Sequence, residues 1–219
     1  MNVIDVPFLD GAGQNLRALS LLMANEPLHP IRISPWPEYN TTANACFSIA
    51  HVNDAILIRY EVEEEVLKSV SRDFNQNVHL DNCVEFFIAF GSTDDKYYNI
   101  ELNCLGSIKI GYGSGRGGRI PLGPEVLQRV AIKTQMDYVP GTGAHSFKWQ
   151  LSLLIPVAVF CYDAIGSLEG SVCRANFYKC GDELPNPHFL TWNPIDTPGP
   201  DFHRPEFFGQ LNFGKVKDR

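Results

Sequence analysis

A period of two constrains this chain more than any other feature. Ala45, Phe47 and Ile49 alternate with Cys46, Ser48 and Ala50, a turn follows at Asn53 and Asp54, and AILIRYEVE then repeats the pattern. Successive strand side chains point to opposite faces, so this spacing reads as a β-hairpin. Apolar or alternating runs recur at residues 82–90 (NCVEFFIAF), 97–105 (YYNIELNCL), 107–113 (SIKIGYG), 130–139 (VAIKTQMDYV), 147–156 (FKWQLSLLIP), 172–178 and 207–213. Turn-forming Gly, Pro, Asn and Asp separate them. Helical spacing is confined to residues 14–24, where Leu16, Leu19, Leu22 and Met23 share a face, and to one turn at 124–128. The expectation is all-β: an antiparallel β-sandwich of two sheets, with about eight or nine strands and one or two short helices.

Length suits one sandwich. Nothing in the 219 residues reads as a linker, so residues 1–219 are expected to form a single domain. Hydrophobic residues at 44% and charged residues at 20% exclude the disordered and membrane-spanning classes. The net charge of -7, with 18 Lys and Arg scattered along the chain, argues against a nucleic-acid surface. Arg116 and Arg119, in the glycine-rich stretch GSGRGGRIPLGP, are too few to form a basic patch. That stretch lacks the GKS or GKT ending of a phosphate cradle, so it reads as a flexible hairpin or insertion. Asp5, Pro7 and Asp10 break any apolar leader, which suggests a cytoplasmic protein or an exported one whose leader lies outside this sequence. The six cysteines form no CxxC pair and sit mostly in strand-like runs, as reduced, buried thiols do.

Catalytic signatures are sparse. No GxSxG elbow is present, and the six histidines, His29, His51, His79, His145, His188 and His203, show no motif spacing. Glu85 and Glu101 are carboxylates inside strand-like apolar runs, the residue type a glycoside hydrolase would need as a pair. The residues favour binding over catalysis. Sugars present apolar C–H faces ringed by hydroxyls, so a sugar site combines aromatic platforms with carboxylates, amides and guanidinium groups. Candidate rings are Tyr97, Tyr98, Trp192, Phe202, Phe207 and Phe208; candidate polar partners are Glu85, Asn99, Glu101, His203 and Arg204. The run Phe202, His203, Arg204 lies in a proline-stiffened segment, where little ordering entropy is lost on binding. Trp36, between Pro35 and Pro37, is expected on a sheet edge as a core anchor closing one end of the sandwich.

Several blocks in order, SPWPEYN, DNCVEFFIAF, YYNIELNCLGSI, FKWQLSLLIPVAVF, RANFYKCGDELPNPHFLTWNP and PDFHRPEFFGQLNFG, span nearly the whole chain. Together they resemble the family 9 carbohydrate-binding modules, in particular the stand-alone family 9-like proteins of gut bacteria. The resemblance implies a β-sandwich and non-catalytic binding of a mono- or oligosaccharide, such as a fragment of xylan or another plant polysaccharide, in a lectin-like role. In the xylanase-attached members two tryptophans clamp a sugar ring; the matching positions here are approximately His79 and Phe202. The glutamate of the VE motif falls on Glu85, and the arginine and asparagine of the next strand fall approximately on Asn99 and Glu101. Joined with the proline-stiffened run, these positions give the expected ligand-binding set: Glu85, Asn99, Glu101, Phe202, His203 and Arg204. The same resemblance leaves structural calcium possible, although no loop carries a calcium-ligand pattern; no other cofactor is expected. Two alternatives stay open: a glycoside hydrolase or hydrolase-accessory domain using Glu85 and Glu101, and a protein-interaction sandwich that has lost its sugar site.

Overall fold

The computed structural model describes residues 1–11, 14–52, 54–91, 96–140 and 146–215. Asn53 of the expected turn and His145 lie outside the described residues. The strands are β1 (Val3–Val6), β2 (His29–Ile31), β3 (Asn44–Val52), β4 (Ala55–Glu64), β5 (Cys83–Ala89), β6 (Tyr97–Asn103), β7 (Ile108–Gly113), β8 (Ile120–Pro121), β9 (Ala131–Val139), β10 (Ser146–Pro156), β11 (Val172–Cys180), β12 (Phe189–Thr191) and β13 (Gly209–Phe213). Two short helices, α1 (Leu16–Leu22) and α2 (Pro124–Leu127), complete the regular elements besides 3-10 turns. No helix among the described residues is long and apolar enough to cross a membrane.

The strands form two sheets. The larger has eight strands in the order β1-β13-β11-β5-β6-β7-β8, with β12 also paired to β11; the smaller runs β2-β3-β4-β10-β9. All nine runs read from sequence are strands. The count exceeds eight or nine because β1, β2, β8 and β12 hold only two to four residues each, too short for alternation to register. The larger sheet is also mixed rather than purely antiparallel, since β1 pairs in parallel with β13. Those two strands are separated by almost the whole chain, so no tight turn dictates their relative direction.

The sheets pack through rings. Phe47 of the smaller sheet stacks on Phe177 of the larger, with centroids 3.6 Å apart and planes inclined by 16°. Phe86 stacks on the same ring at 4.9 Å, and Trp149, Leu151 and Leu153 of β10 are fully buried beside them. Each such buried side chain contributes about 1.5–3 kcal/mol. Of the Trp36 segment only Ile31 belongs to a strand, β2, which borders the smaller sheet; the strand ends before Pro35 and Pro37, and Trp36, expected to close one end of the sandwich, is instead buried in an outer layer on the larger sheet. On the smaller sheet's outer face, α1 buries Leu19, and Met23 follows just beyond it, both against Ala50, Val52 and Leu57. Leu22, expected on the same helix face, is exposed instead.

Every residue of β5 and β6 is buried, which accounts for their nearly continuous apolar sequence. Val84, Phe86, Ile88, Tyr98, Ile100 and Leu102 face the sandwich core. The alternate residues face the other way and are covered by a second layer, in which Trp36, Phe202 and Phe208 pack on Phe87, Tyr97 and Tyr178. The Trp36 indole donates its N–H to the Thr197 carbonyl at 3.0 Å, tying the proline-rich loop to that layer. A sheet covered on both faces can hold charged side chains away from water, and it does so at the centre of this outer layer.

Candidate functional site

Register places the site. On the outward face of the larger sheet, Glu85 of β5 stands directly opposite Glu101 of β6, Glu101 opposite Lys109 of β7, and Glu85 opposite Tyr178 of β11. In the adjoining row, Asn99 stands opposite both Phe87 and Gly111. These residues form the floor of a cleft of about 420 Å³, whose lining includes His79, Glu85, Asn99, Glu101, Lys109, Arg116, Arg119, Cys180, Asp182, Phe189, Phe202 and His203. The volume falls in the range of small-ligand sites.

The two glutamates are pushed in opposite directions. Burial raises the Glu85 pKa well above the usual carboxylate value, and the facing Glu101 charge raises it further. Burial also opposes ionisation of Glu101, but His79, Lys109 and Asn99 outweigh it and hold the pKa below the usual value. His79 Nδ1 lies 3.6 Å from Glu101 Oε2, an ionic approach rather than a hydrogen bond, and Lys109 Nζ lies 3.4 Å from Oε1. The site thus pairs a carboxyl biased toward its protonated, donating form with one biased toward the accepting carboxylate. Glu101 Oε2 is buried and has no hydrogen-bond partner among the described residues.

Glycine opens space for the arginine that fixes this arrangement. Arg119 Nε donates to Asn99 Oδ1 at 2.6 Å, and Asn99 Nδ2 donates to Glu101 Oε1 at 2.6 Å. The other guanidinium nitrogens donate to the carbonyls of Tyr97, Gly111, Gly113 and Gly115, and the group lies 4.2 Å above the Tyr97 ring. A Cβ on Gly111 would fall 2.7 Å from Asn99 Oδ1 and 3.3 Å from Arg119 Nε. Only a bare backbone at this position admits the relay.

The rings form one wall. Phe202 is largely buried, stacked on Tyr178 at 4.1 Å with planes inclined by 12°, and it meets Phe189 edge-on at 5.9 Å. The Tyr178 hydroxyl donates to the Phe202 carbonyl at 3.2 Å, which fixes the loop as well as the ring. His203 Nδ1 sits 2.8 Å from the Tyr97 hydroxyl, and burial, then Arg119, lowers its pKa to about 4. His203 is therefore neutral near pH 7.

Of the residues predicted from sequence, Glu85, Asn99, Glu101, Phe202 and His203 line this one cleft, whereas Arg204 does not. Arg204 donates from Nε and Nη2 to Glu206 Oε1 at 2.8 and 2.5 Å on the surface. Tyr98 and Trp192, counted among the candidate rings, belong to the sandwich core. The arginine of the site is Arg119, which the scattered-charge argument passed over. Its signal was the GYG of residues 111–113, where two glycines on one strand face mark close approach by another group. Lys109, Asp182 and Cys180 were also missed, each being unremarkable until the register brings it beside the glutamates.

A family model described as "Carbohydrate-binding family 9" matches residues 17–213. A crystal structure of a candidate carbohydrate-binding protein from Bacteroides uniformis ATCC 8492 is similar at 35% identity and a TM-score of 0.86, covering 97% of this chain and 99% of that one. Two structures of a family 9 module from Caldicellulosiruptor kristjanssonii share the fold at low identity. The glucose complex is 14% identical with a TM-score of 0.61, over 100% of this chain and 98% of that one. The cellotriose complex is 15% identical with a TM-score of 0.58, over 99% and 96%. No curated protein sequence matches the chain.

Proposed function

The chain belongs to carbohydrate-binding family 9, and from that premise we propose that its cleft binds a mono- or oligosaccharide without transforming it. The observation that carries the reading is the convergence, in one cleft, of a carboxyl biased toward protonation, a second carboxyl with an unspent oxygen, and an Arg-to-Asn-to-Glu relay beside a ring wall. Sugar hydroxyls both donate and accept, so Glu101 takes a hydroxyl hydrogen while Glu85 gives one. Phe202 and Phe189 offer apolar surface to the C–H face of the ring. His79 and Phe202, at the positions corresponding to the two clamp tryptophans, both line the cleft, with smaller rings than indole. Fragments of plant polysaccharides such as xylan are the proposed source of ligand. The relatives solved with glucose and cellotriose make those two sugars the first probes.

A hydrolase reading draws on the opposite pKa directions of Glu85 and Glu101, the split that acid/base pairs use. Hydrolysis, however, needs the two carboxyls on either side of a scissile bond, and these project side by side from neighbouring strands. Calorimetry against glucose, cellotriose and xylo-oligosaccharides decides the main reading. Binding that weakens in Phe202→Ala supports it; no heat with any sugar, together with an indifferent Phe202→Ala, rejects it. Release of reducing sugar that disappears in Glu85→Gln would instead establish hydrolysis.

A further inference from the structure

The floor of the larger sheet carries a second donor set, distinct in chemistry from the sugar-facing relay. Cys83 and Glu85 lie two residues apart on β5 and so share a face, and Cys180 of β11 stands directly opposite Cys83 in register. The two sulfurs and one Glu85 oxygen all lie within 4.8 Å of one another, and Cys180 Sγ is 3.3 Å from Glu85 Oε1. All three side chains are buried, Cys83 and Cys180 almost completely. From these placements we propose that Cys83, Glu85 and Cys180 form a binding site for a thiophilic divalent cation of the zinc type.

Three points carry the assignment. Tetrahedral zinc with bonds of about 2.3 Å to sulfur and 2.0–2.2 Å to oxygen requires ligand-to-ligand edges of roughly 3.6–3.8 Å. The observed set, with one edge of 3.3 Å and every edge within 4.8 Å, brackets that geometry. Its donors are anchored on two central, hydrogen-bonded strands, so little ordering is needed on binding. Two thiolates with one carboxylate select zinc over calcium or magnesium, which take all-oxygen shells. The set therefore differs from the calcium that the family resemblance left possible.

Among the described residues three protein donors converge, and two of them, Glu85 and Cys180, line the cleft. A cation enters from that side, and its fourth position faces the cleft, where water or a hydroxyl oxygen completes the shell. Binding displaces the protons of both thiols and that of Glu85, and no electron is transferred. A bound cation displaces the Glu85 proton, so cation binding and hydroxyl donation by Glu85 exclude each other, and the test uses the metal alone.

The full-length protein, reduced with a phosphine and stripped of metal, is titrated with cobalt(II) and then challenged with zinc. One equivalent of cobalt should bind with thiolate-to-metal charge-transfer absorption and tetrahedral d–d bands, and zinc should bleach both. Cys83→Ser and Cys180→Ser should each lose affinity by more than the about 10–100-fold typical of removing an outer-sphere partner. Cys161→Ser, which removes the exposed thiol, should bind as the parent does. Circular dichroism and thermal melting verify that each variant is folded; if a serine variant fails to fold, the parent's charge-transfer spectrum still decides. Absence of stoichiometric binding, a spectrum without sulfur ligation, or binding that survives in both folded serine variants overturns the proposal.

Discussion

Two buried charge clusters occupy opposite faces of β11, and their contrast separates structure from recognition. Toward the smaller sheet, Lys179 Nζ pairs with Glu64 Oε2 at 3.0 Å, donates to the Cys180 carbonyl at 2.9 Å and approaches His188 Nε2 at 2.9 Å. Glu64 Oε1 accepts the Trp149 indole N–H at 2.6 Å. Only about 30 Å³ of space adjoins Glu64 and His188, room for about a single water. Toward the outer layer, one residue further along the chain, Cys180 faces the Glu85 and Glu101 cluster and a cleft more than ten times larger. Both clusters hold buried carboxyls beside lysine and histidine. Each also keeps one buried carboxylate oxygen, Glu64 Oε2 or Glu101 Oε2, outside any hydrogen bond, so what separates them is space: the first leaves room for about one water beside its Lys179–Glu64 pair, the second room for a ligand.

Opening the first cluster should have the largest effect. Lys179→Met leaves Glu64 buried without its cation, and loss of one partner of a buried pair costs about 3–5 kcal/mol. Urea unfolding should show that loss, while the folded fraction keeps its sugar affinity; a cost under about 1 kcal/mol would contradict the closed-cluster reading. The converse change, Glu101→Gln, should weaken saccharide binding by about 1.5–3 kcal/mol, roughly ten- to a hundredfold, because a hydrogen bond to a charged acceptor is lost. Its unfolding midpoint should move much less than that of Lys179→Met. Equal effects of the two variants on stability would erase the distinction.

Acidification sharpens the contrast further. Burial, then the Lys179 charge, lowers the His188 pKa to about 4. Its Nδ1 donates to the Asn186 carbonyl at 3.0 Å, leaving Nε2 to accept from Lys179, as a neutral ring can. Between pH 6.5 and about 4 the unfolded chain binds this proton and the folded chain does not, so stability falls as pH falls. His188→Gln should flatten the dependence by up to about 1.4 kcal/mol per pH unit across that window, measured as the difference in unfolding free energy between variant and parent. The smallest effect belongs to Arg204→Ala. Its pair with Glu206 lies at the surface and is screened by water, so both stability and sugar affinity should be nearly unchanged. A clear loss of affinity would return Arg204 to the binding set.

Local pattern made much of this molecule legible. Alternation marked nine strands, and Pro35 and Pro37 marked the Trp36 segment as no central strand, because pleating and missing amide donors act within a few residues. The composition of β5 and β6 likewise flagged Glu85 and Glu101 as unusual, since a carboxylate in an apolar strand needs a partner. Register between paired strands, some consecutive and some far apart in the chain, decided the rest. It set Glu101 between Glu85 and Lys109, brought Arg119 over Tyr97 through the gap at Gly111, and turned Lys179 inward to Glu64 while Cys180 turned outward. Arg204 shows the limit of adjacency: it follows Phe202 and His203 in the chain, yet it pairs with Glu206 and does not line the cleft. Nine strands were fixed locally, because alternation over five or more residues needs no partner to be read, whereas β1, β2, β8 and β12 were too short to show it. Which charges meet, and whether they are closed by the protein or left open to a ligand, depends on long-range pairing that only the tertiary structure decides.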